Sequence, residues 1–354
     1  MRHKLLLIAS IVVLSLAHAV VAQNPSAALA SLPEADMLIY ASPQRILNEA
    51  APRVMSAAEI TKMRSDFADA KKAVGVDPSN LEYLVVAVRF NKPASDLSFM
   101  APDFLVVMGG DFSSDSLVSL AQLALQDKAH VEKYGSKSIT MMKFDQLAAE
   151  AEKTPMLKPY VELGAVPLSA NSFAIGNLRY VKAAVDAADG NGRINAATLE
   201  SLFRDPNVLL AASGAPLGAV TKSLGLMGLE NTSRQSHCDT PFGNFYAAVT
   251  MSGTNFTLRG AMNADNPDTA KIIYNLFSGL MKTGMDAIPD KGVQTMLQSL
   301  KMSPKENEIV WEADIPEKVV ADFIRTAPKD ATVSAVKPAS TPKRPVRKKR
   351  TRKT

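Results

Sequence analysis

Apolar and polar positions along this chain follow two periods, one suited to strands and one to helices. An apolar run at 37–41 follows the turn signal Leu32-Pro33-Glu34 and predicts a strand. Ile60, Met63, Phe67, Ala70 and Val74 then recur every three or four residues, which places them on one helix face. Gly75-Val76-Asp77-Pro78 predicts the end of that helix. Strand-like runs at 84–90 and 104–108 come next, separated by Pro93 and Pro102. A helix from about Asp115 to Ala129, strands near 138–143 and 172–175, and a helix over 180–188 complete the first half.

The second half repeats this plan. An apolar strand over 208–212 precedes a short helix over 217–226, and strands at 244–251 and 255–262 are joined by a hairpin turn at Ser252-Gly253. Asn266-Pro267 has the form of an N-cap followed by proline at the first helical position. The helix it opens carries an apolar face of Ile273, Leu276, Phe277 and Leu280. A strand at 308–313 follows, then a last helix from Pro316 with Val319, Val320, Phe323 and Ile324 inward. This order, performed twice, predicts an α+β protein of two related units, each a mainly antiparallel sheet with helices packed on one face. The units are expected at 24–200 and 201–330.

Several short motifs carry a resemblance. Leu32-Pro33 leads into a strand, Gly75-Val76-Asp77-Pro78 precedes one, and Gly109-Gly110-Asp111-Phe112 opens a helix. Tyr134-Gly135-Ser136-Lys137 and Ser172-Phe173-Ala174-Ile175-Gly176 complete the set. Together they resemble a loose group of uncharacterised exported bacterial proteins with duplicated α+β halves. The resemblance implies that fold and that address, and it brings no activity with it.

The two ends of the chain differ from the body. Arg2 and Lys4, an apolar run from Leu5 to Ala17, and small residues at Val20 and Ala22 form the pattern of a secretory signal peptide, predicting cleavage after Ala22. The apolar run is shorter than the roughly 20 residues that span a bilayer, and no cysteine follows it to take a lipid. The stretch 208–229 is broken by Pro216, Lys222 and glycines and predicts no span either. From Lys337 onward the chain carries nine basic residues and no acid, so the net charge of +5 belongs to the tail, and the body without leader and tail is about −6. A periplasmic or extracellular location follows, away from pools of nucleotide and nicotinamide cofactors, and no cofactor is expected.

Candidate chemistry is sparse. Gly109-Gly110-Asp111-Phe112 approaches the diguanylate cyclase signature but lacks its further acidic residue, so Asp111, Ser113 and Ser114 read as turn and cap residues. Asp189-Gly190-Asn191-Gly192 has the centre of a calcium loop, but the first and twelfth ligand positions fall on Ala187 and Thr198. His130 and His237 are the only histidines beyond the leader, too few for a histidine-based metal site. The single cysteine, Cys238, permits no internal disulfide, and its neighbour His237 points away from it along the chain. No Gly-x-Ser-x-Gly elbow occurs, and Met141, Met142, Met281 and Met285 read as core filling. No catalytic or metal residue is therefore assigned.

The tail is the one segment with a physical argument for function. Its prolines and charges preclude a core, and a flexible polycation binds polyanions by counterion release. Lys343, Arg344, Arg347, Lys348, Lys349, Arg350, Arg352 and Lys353 are its candidate contacts. Outside the cytosol these face an anionic envelope polymer, anionic lipid or extracellular DNA. The expected function is an exported, non-catalytic binding or scaffolding protein of the periplasm or cell envelope. The alternatives are a hydrolase using carboxylates at the domain interface, and a polyanion tether acting through the tail.

Overall fold

The computed structural model describes residues 29–326 except 30, 75–76, 91–101, 126–128, 145–147, 149–150, 154, 206, 216–242 and 286–290. Strand β1 (Met37–Ala41) leads into α1 (Pro43–Arg45), a π-helical turn (Ile46–Ala50), α2 (Ala51–Val54) and α3 (Ala57–Val74). Then come β2 (Leu81–Arg89), β3 (Asp103–Gly110), α4 (Ser114–Leu125), β4 (Ala129–Tyr134), β5 (Lys137–Lys143), β6 (Glu162–Ser169), β7 (Ser172–Asn177), α5 (Leu178–Ala188) and α6 (Ala196–Leu202). The rest comprises β8 (Leu210–Gly214), β9 (Phe245–Ser252), β10 (Asn255–Asn263), α7 (Pro267–Met285), α8 (Lys291–Ser299), β11 (Lys301–Lys305), β12 (Glu308–Pro316) and α9 (Glu317–Thr326).

The chain is an α+β protein. Its strands form one 12-stranded antiparallel sheet in the order β11-β12-β10-β9-β8-β1-β2-β3-β7-β6-β5-β4. β1 and β8 pair at the centre. Outward from them, β2, β3, β7 and β6 on one side answer to β9, β10, β12 and β11 on the other, with β5 and β4 added beyond β6. The residue 200/201 division falls inside α6, and α6 packs its Leu199 and Leu202 into a core that also holds Tyr246 and Ala248. The two halves thus share both a sheet and a core.

The pleat sorts side chains between two faces. One cross-strand row, Gly176, Leu105, Ala87, Leu38, Ser213, Tyr246, Ala261, Val310 and Ser303, marks what we term the front. On that face Leu38, Val85, Leu105 and Val107 pack under Tyr180, Val181, Ala184 and Val185 of α5. Full burial of a side chain such as Leu105 is worth about 1.5–3 kcal/mol. The back is covered by other helices. Leu117 and Val118 of α4 meet Ala165 and Phe173, whereas Ala50 and Val54 meet Phe256, Ile315 and the α9 residues Val319, Val320 and Ala321. Ala270 and Ile273 of α7 close over Met262 and Ile309.

Helices therefore lie on both faces, and one difference between the halves matters. α5 follows β7 and packs on the front; α9 follows β12, the corresponding strand, and packs on the back. Among the described residues no helix covers the front of β10, β12 and β11.

Some elements depart from the periodicity. The helix expected to reach Ala129 is described over Ser114–Leu125, and Ala129 itself belongs to strand β4. β11, with Pro304 and two lysines, has no apolar alternation to announce it. Leu276, expected inward, is 54% exposed. The buried stripe of α7 runs through Ala270, Ile273, Tyr274 and Phe277, and Leu276 falls about 60° outside it at 100° per residue. Phe323 and Ile324, in the last turn of α9, are also exposed rather than inward. The expected helix over 217–226 lies outside the described residues.

Candidate functional site

Alternation along β12 builds the helix-free part of the front, while Thr257 and Ala261 on the front of β10 are buried. In β12, Ile309, Ala313 and Ile315 turn to the back and are buried, while Val310, Glu312 and Asp314 turn to the front. Register then aligns Ala248, Arg259, Glu312 and Lys301 in a second row across four strands. That row begins as apolar core and ends as exposed charge. With Arg204 and Asp205, which leave the end of α6, the charged part of the row, Arg259, Glu312 and Lys301, lines a trough of about 410 Å³.

The charges in the trough are bound to one another. Arg259 Nε donates to Glu312 Oε1 at 2.8 Å, which favours the protonated guanidinium, and its Nη1 stands 3.9 Å from Asp205. The Tyr246 hydroxyl donates to the other Asp205 oxygen, and burial together with that carboxylate pushes the phenol pKa far up. Arg204 lies 5.9 Å above the Tyr246 ring and 3.8 Å from Glu308. Such an array offers donors and acceptors of both signs at fixed positions along a sheet. It does not offer a free acid beside a free base, because Asp205 and Glu312 both face Arg259.

A second charged cluster ties the first half together. Asp103, 1% exposed at its side chain, accepts from Arg89 Nη2 at 3.2 Å and from Arg179 Nη2 at 2.8 Å. Arg89 also stacks 4.6 Å from the centre of the Tyr180 ring, whose hydroxyl donates to the Glu34 carbonyl at 2.8 Å. An adjoining cavity of about 590 Å³ is lined by Arg89, Arg179, Lys182, Tyr134 and Asp186. Lys182 pairs with Glu132, and Tyr134 donates to Asp186, so this cluster works as a clamp between β2, β3, β4 and α5.

The motifs of the sequence resolve into local structure. A Cβ on Gly110 would stand 2.1 Å from the Asn80 carbonyl, so this glycine lets β3 pass close to the turn before β2, while Gly109 leaves room for the Tyr83 ring. Ser113 Oγ accepts from the Ser116 amide as a helix cap, and Ser114 donates to the carbonyls of Ser169 and Ala170. Among the described residues the Asp111 side chain caps no helix amide, and its own amide donates to the Asn80 carbonyl. The calcium-like loop ends α5. Gly190 and Gly192 have positive φ, Asp189 accepts from Ser136, and the Gly192 carbonyl accepts from the Glu34 amide. Among the described residues no group of three His, Cys, Asp or Glu side chains could hold a metal. Met141 and Met142 are buried on opposite faces. Lys343, Arg344, Arg347, Lys348, Lys349, Arg350, Arg352 and Lys353 lie outside the described residues, as do His237 and Cys238.

The trough residues Arg204, Asp205, Tyr246, Arg259, Lys301 and Glu312 were not singled out from the sequence. One signal was there to read. Glu308, Glu312 and Asp314, in phase with one another and interrupted by Val310, share a face of 308–314 with Thr257 and Arg259 of the neighbouring strand, a polar pattern that suits a sheet face left without a helix.

No protein-family model and no curated protein matches the chain. Among solved structures, crystal form III of TP0453 is similar with a TM-score of 0.42 at 10% identity, over 84% of this chain and 96% of that one. Crystal form I of TP0453 gives a TM-score of 0.41 at 11% identity, over 84% and 95%. No helix among the described residues is long and apolar enough to cross a membrane.

Proposed function

We propose that the chain is an exported, non-catalytic binding or scaffolding protein of the periplasm or cell envelope, with the open front of β10, β12 and β11 as its contact surface. The observation that carries this reading is the placement of α9 on the back of the sheet. It leaves Arg259, Glu312 and Lys301 in a solvent-facing row where the first half has the α5 core. The ligand that fits is extended and polar and carries both signs of charge. The basic tail adds a second contact, for an anionic envelope polymer, anionic lipid or extracellular DNA. The hydrolase alternative is the weaker one, since both trough carboxylates are held by Arg259.

In-cell photo-crosslinking tests the reading. A photoreactive residue in place of Ser303, in the trough, is expected to give an adduct that Arg259→Glu abolishes. The same probe at Asp66, on the exposed side of α3, is expected to give none. Equal labelling from both positions overturns the assignment of the trough. Ester or glycoside turnover that Glu312→Gln removes would install the hydrolase instead.

A further inference from the structure

The two ends of the sheet are not alike. At one end β11 carries Pro304 between Lys301 and Lys305, which discourages a further strand. At the other, β4 has six residues without proline, pairs among the described residues only with β5, and holds Val131 at 53% exposure. Tyr134 and Lys137 close a two-residue turn with Gly135 at φ 54°. A closing pair of this kind exchanges both of its hydrogen bonds. Alternation along the ladder then turns His130 and Glu132 toward β5, and the amides and carbonyls of Ala129, Val131 and Lys133 outward.

We propose that β4 is a dimerisation edge, and that its occupant is β4 of a second copy, added antiparallel about a two-fold axis at Val131. In that register Val131 meets Val131 of the second copy as a hydrogen-bonded pair, and Ala129 meets Lys133. His130 of each copy lies opposite Glu132 of the other, on the front face. Lys182 engages only one oxygen of Glu132, at 2.8 Å, which leaves the second for the imidazole. Charge selects this register. One step toward the turn sets Glu132 against Glu132, and one step away shortens the paired length to residues 129–131. The result is a closed C2 assembly with one sheet running through both copies. A six-residue edge is small against standard interfaces, so the dimer is weak, with Kd on the order of 10–100 μM.

Sedimentation velocity on the full chain, from about 1 to about 200 μM, spans that range. Concentration-dependent dimer formation is expected. Val131→Pro removes an outward amide without touching the β4–β5 ladder, and Val131→Lys sets two like charges at the axis. Each is expected to raise Kd at least tenfold, whereas Leu276→Lys on α7 and Arg259→Glu in the trough leave it unchanged. Val131→Lys keeps the test decisive should the proline variant fail to fold. A chain that stays monomeric throughout overturns the proposal and frees the edge for another protein's strand. A dimer that both Val131 variants leave intact also overturns it and moves the interface elsewhere.

Discussion

Arg89 lies directly across the β2–β3 pair from Asp103, and its guanidinium reaches the buried carboxylate at 3.2 Å while Arg179 reaches the other oxygen at 2.8 Å. One carboxylate thus fixes a strand pair and the first turn of α5. Breaking a buried ion pair from one side costs about 3–5 kcal/mol. Arg179 is 63% exposed and recovers hydration when released. Asp103→Asn is therefore expected to lower stability by about 3 kcal/mol in urea unfolding, the low end of that range. A loss below about 0.5 kcal/mol, typical of a surface position, would show that the clamp is not structural.

Gly260 and Trp311 are a second coupled pair. A Cβ on Gly260 would fall 2.2–2.4 Å from three atoms of the indole ring, so Gly260→Ala must displace it. Overpacking of this kind costs about 1–3 kcal/mol. Trp311 is the single tryptophan, so its emission reports the displacement directly. A spectrum and a midpoint both unchanged by the substitution would contradict the contact.

Buried phenols make the fold sensitive to alkali. Burial pushes the Tyr180 pKa far above its ordinary value, and Tyr83 and Tyr40 are raised for the same reason. A tyrosine with a raised folded-state pKa keeps its proton in the native state after the unfolded chain has lost it. Its contribution is fully present below about pH 10 and falls as pH rises through the folded value, by up to about 1.4 kcal/mol per pH unit. Tyr180→Phe should flatten the slope above pH 10 by about one such increment. The same variant should be somewhat less stable at neutral pH, because the Glu34 carbonyl loses its donor. Urea midpoints across pH 7–11.5 check both outcomes, and an unaltered alkaline slope counts against the assignment.

Polyanion affinity should reside in the tail. The body carries about −6, against nine basic residues from Lys337 onward. Affinity for duplex DNA should then fall with salt at a log–log slope of about −0.9 per neutralised phosphate. Deleting residues 337–354 should abolish binding and leave the melting temperature nearly unchanged. Binding retained by the truncated chain would move the site onto the folded body.

Export has a simple readout. N-terminal sequencing of protein from the periplasmic or secreted fraction should begin at or near Gln23. An intact Met1 on cytosolic protein would remove the address and every inference drawn from it.

Periodicity alone was enough to place most strands and helices, because alternation and the 3.6-residue repeat are local consequences of which face must be dry. It located β2, β3, β9 and β10, the Asn266 cap, whose side chain accepts from the Thr269 amide, and the Gly253 turn. Ile273 and Val181 are apolar wherever their helices dock. The face on which a helix docks depends on the path the chain takes out of a strand. No local pattern distinguishes the exit from β7, which sends α5 to the front, from the exit from β12, which sends α9 to the back. Nor could β11 or β4 be read from composition, since an edge strand buries little and must be polar to stay soluble. Long-range register alone aligned Arg259 with Glu312 and Lys301, residues 42 to 53 apart along the chain, and hydrogen bonding between strands, not any single segment, made them neighbours.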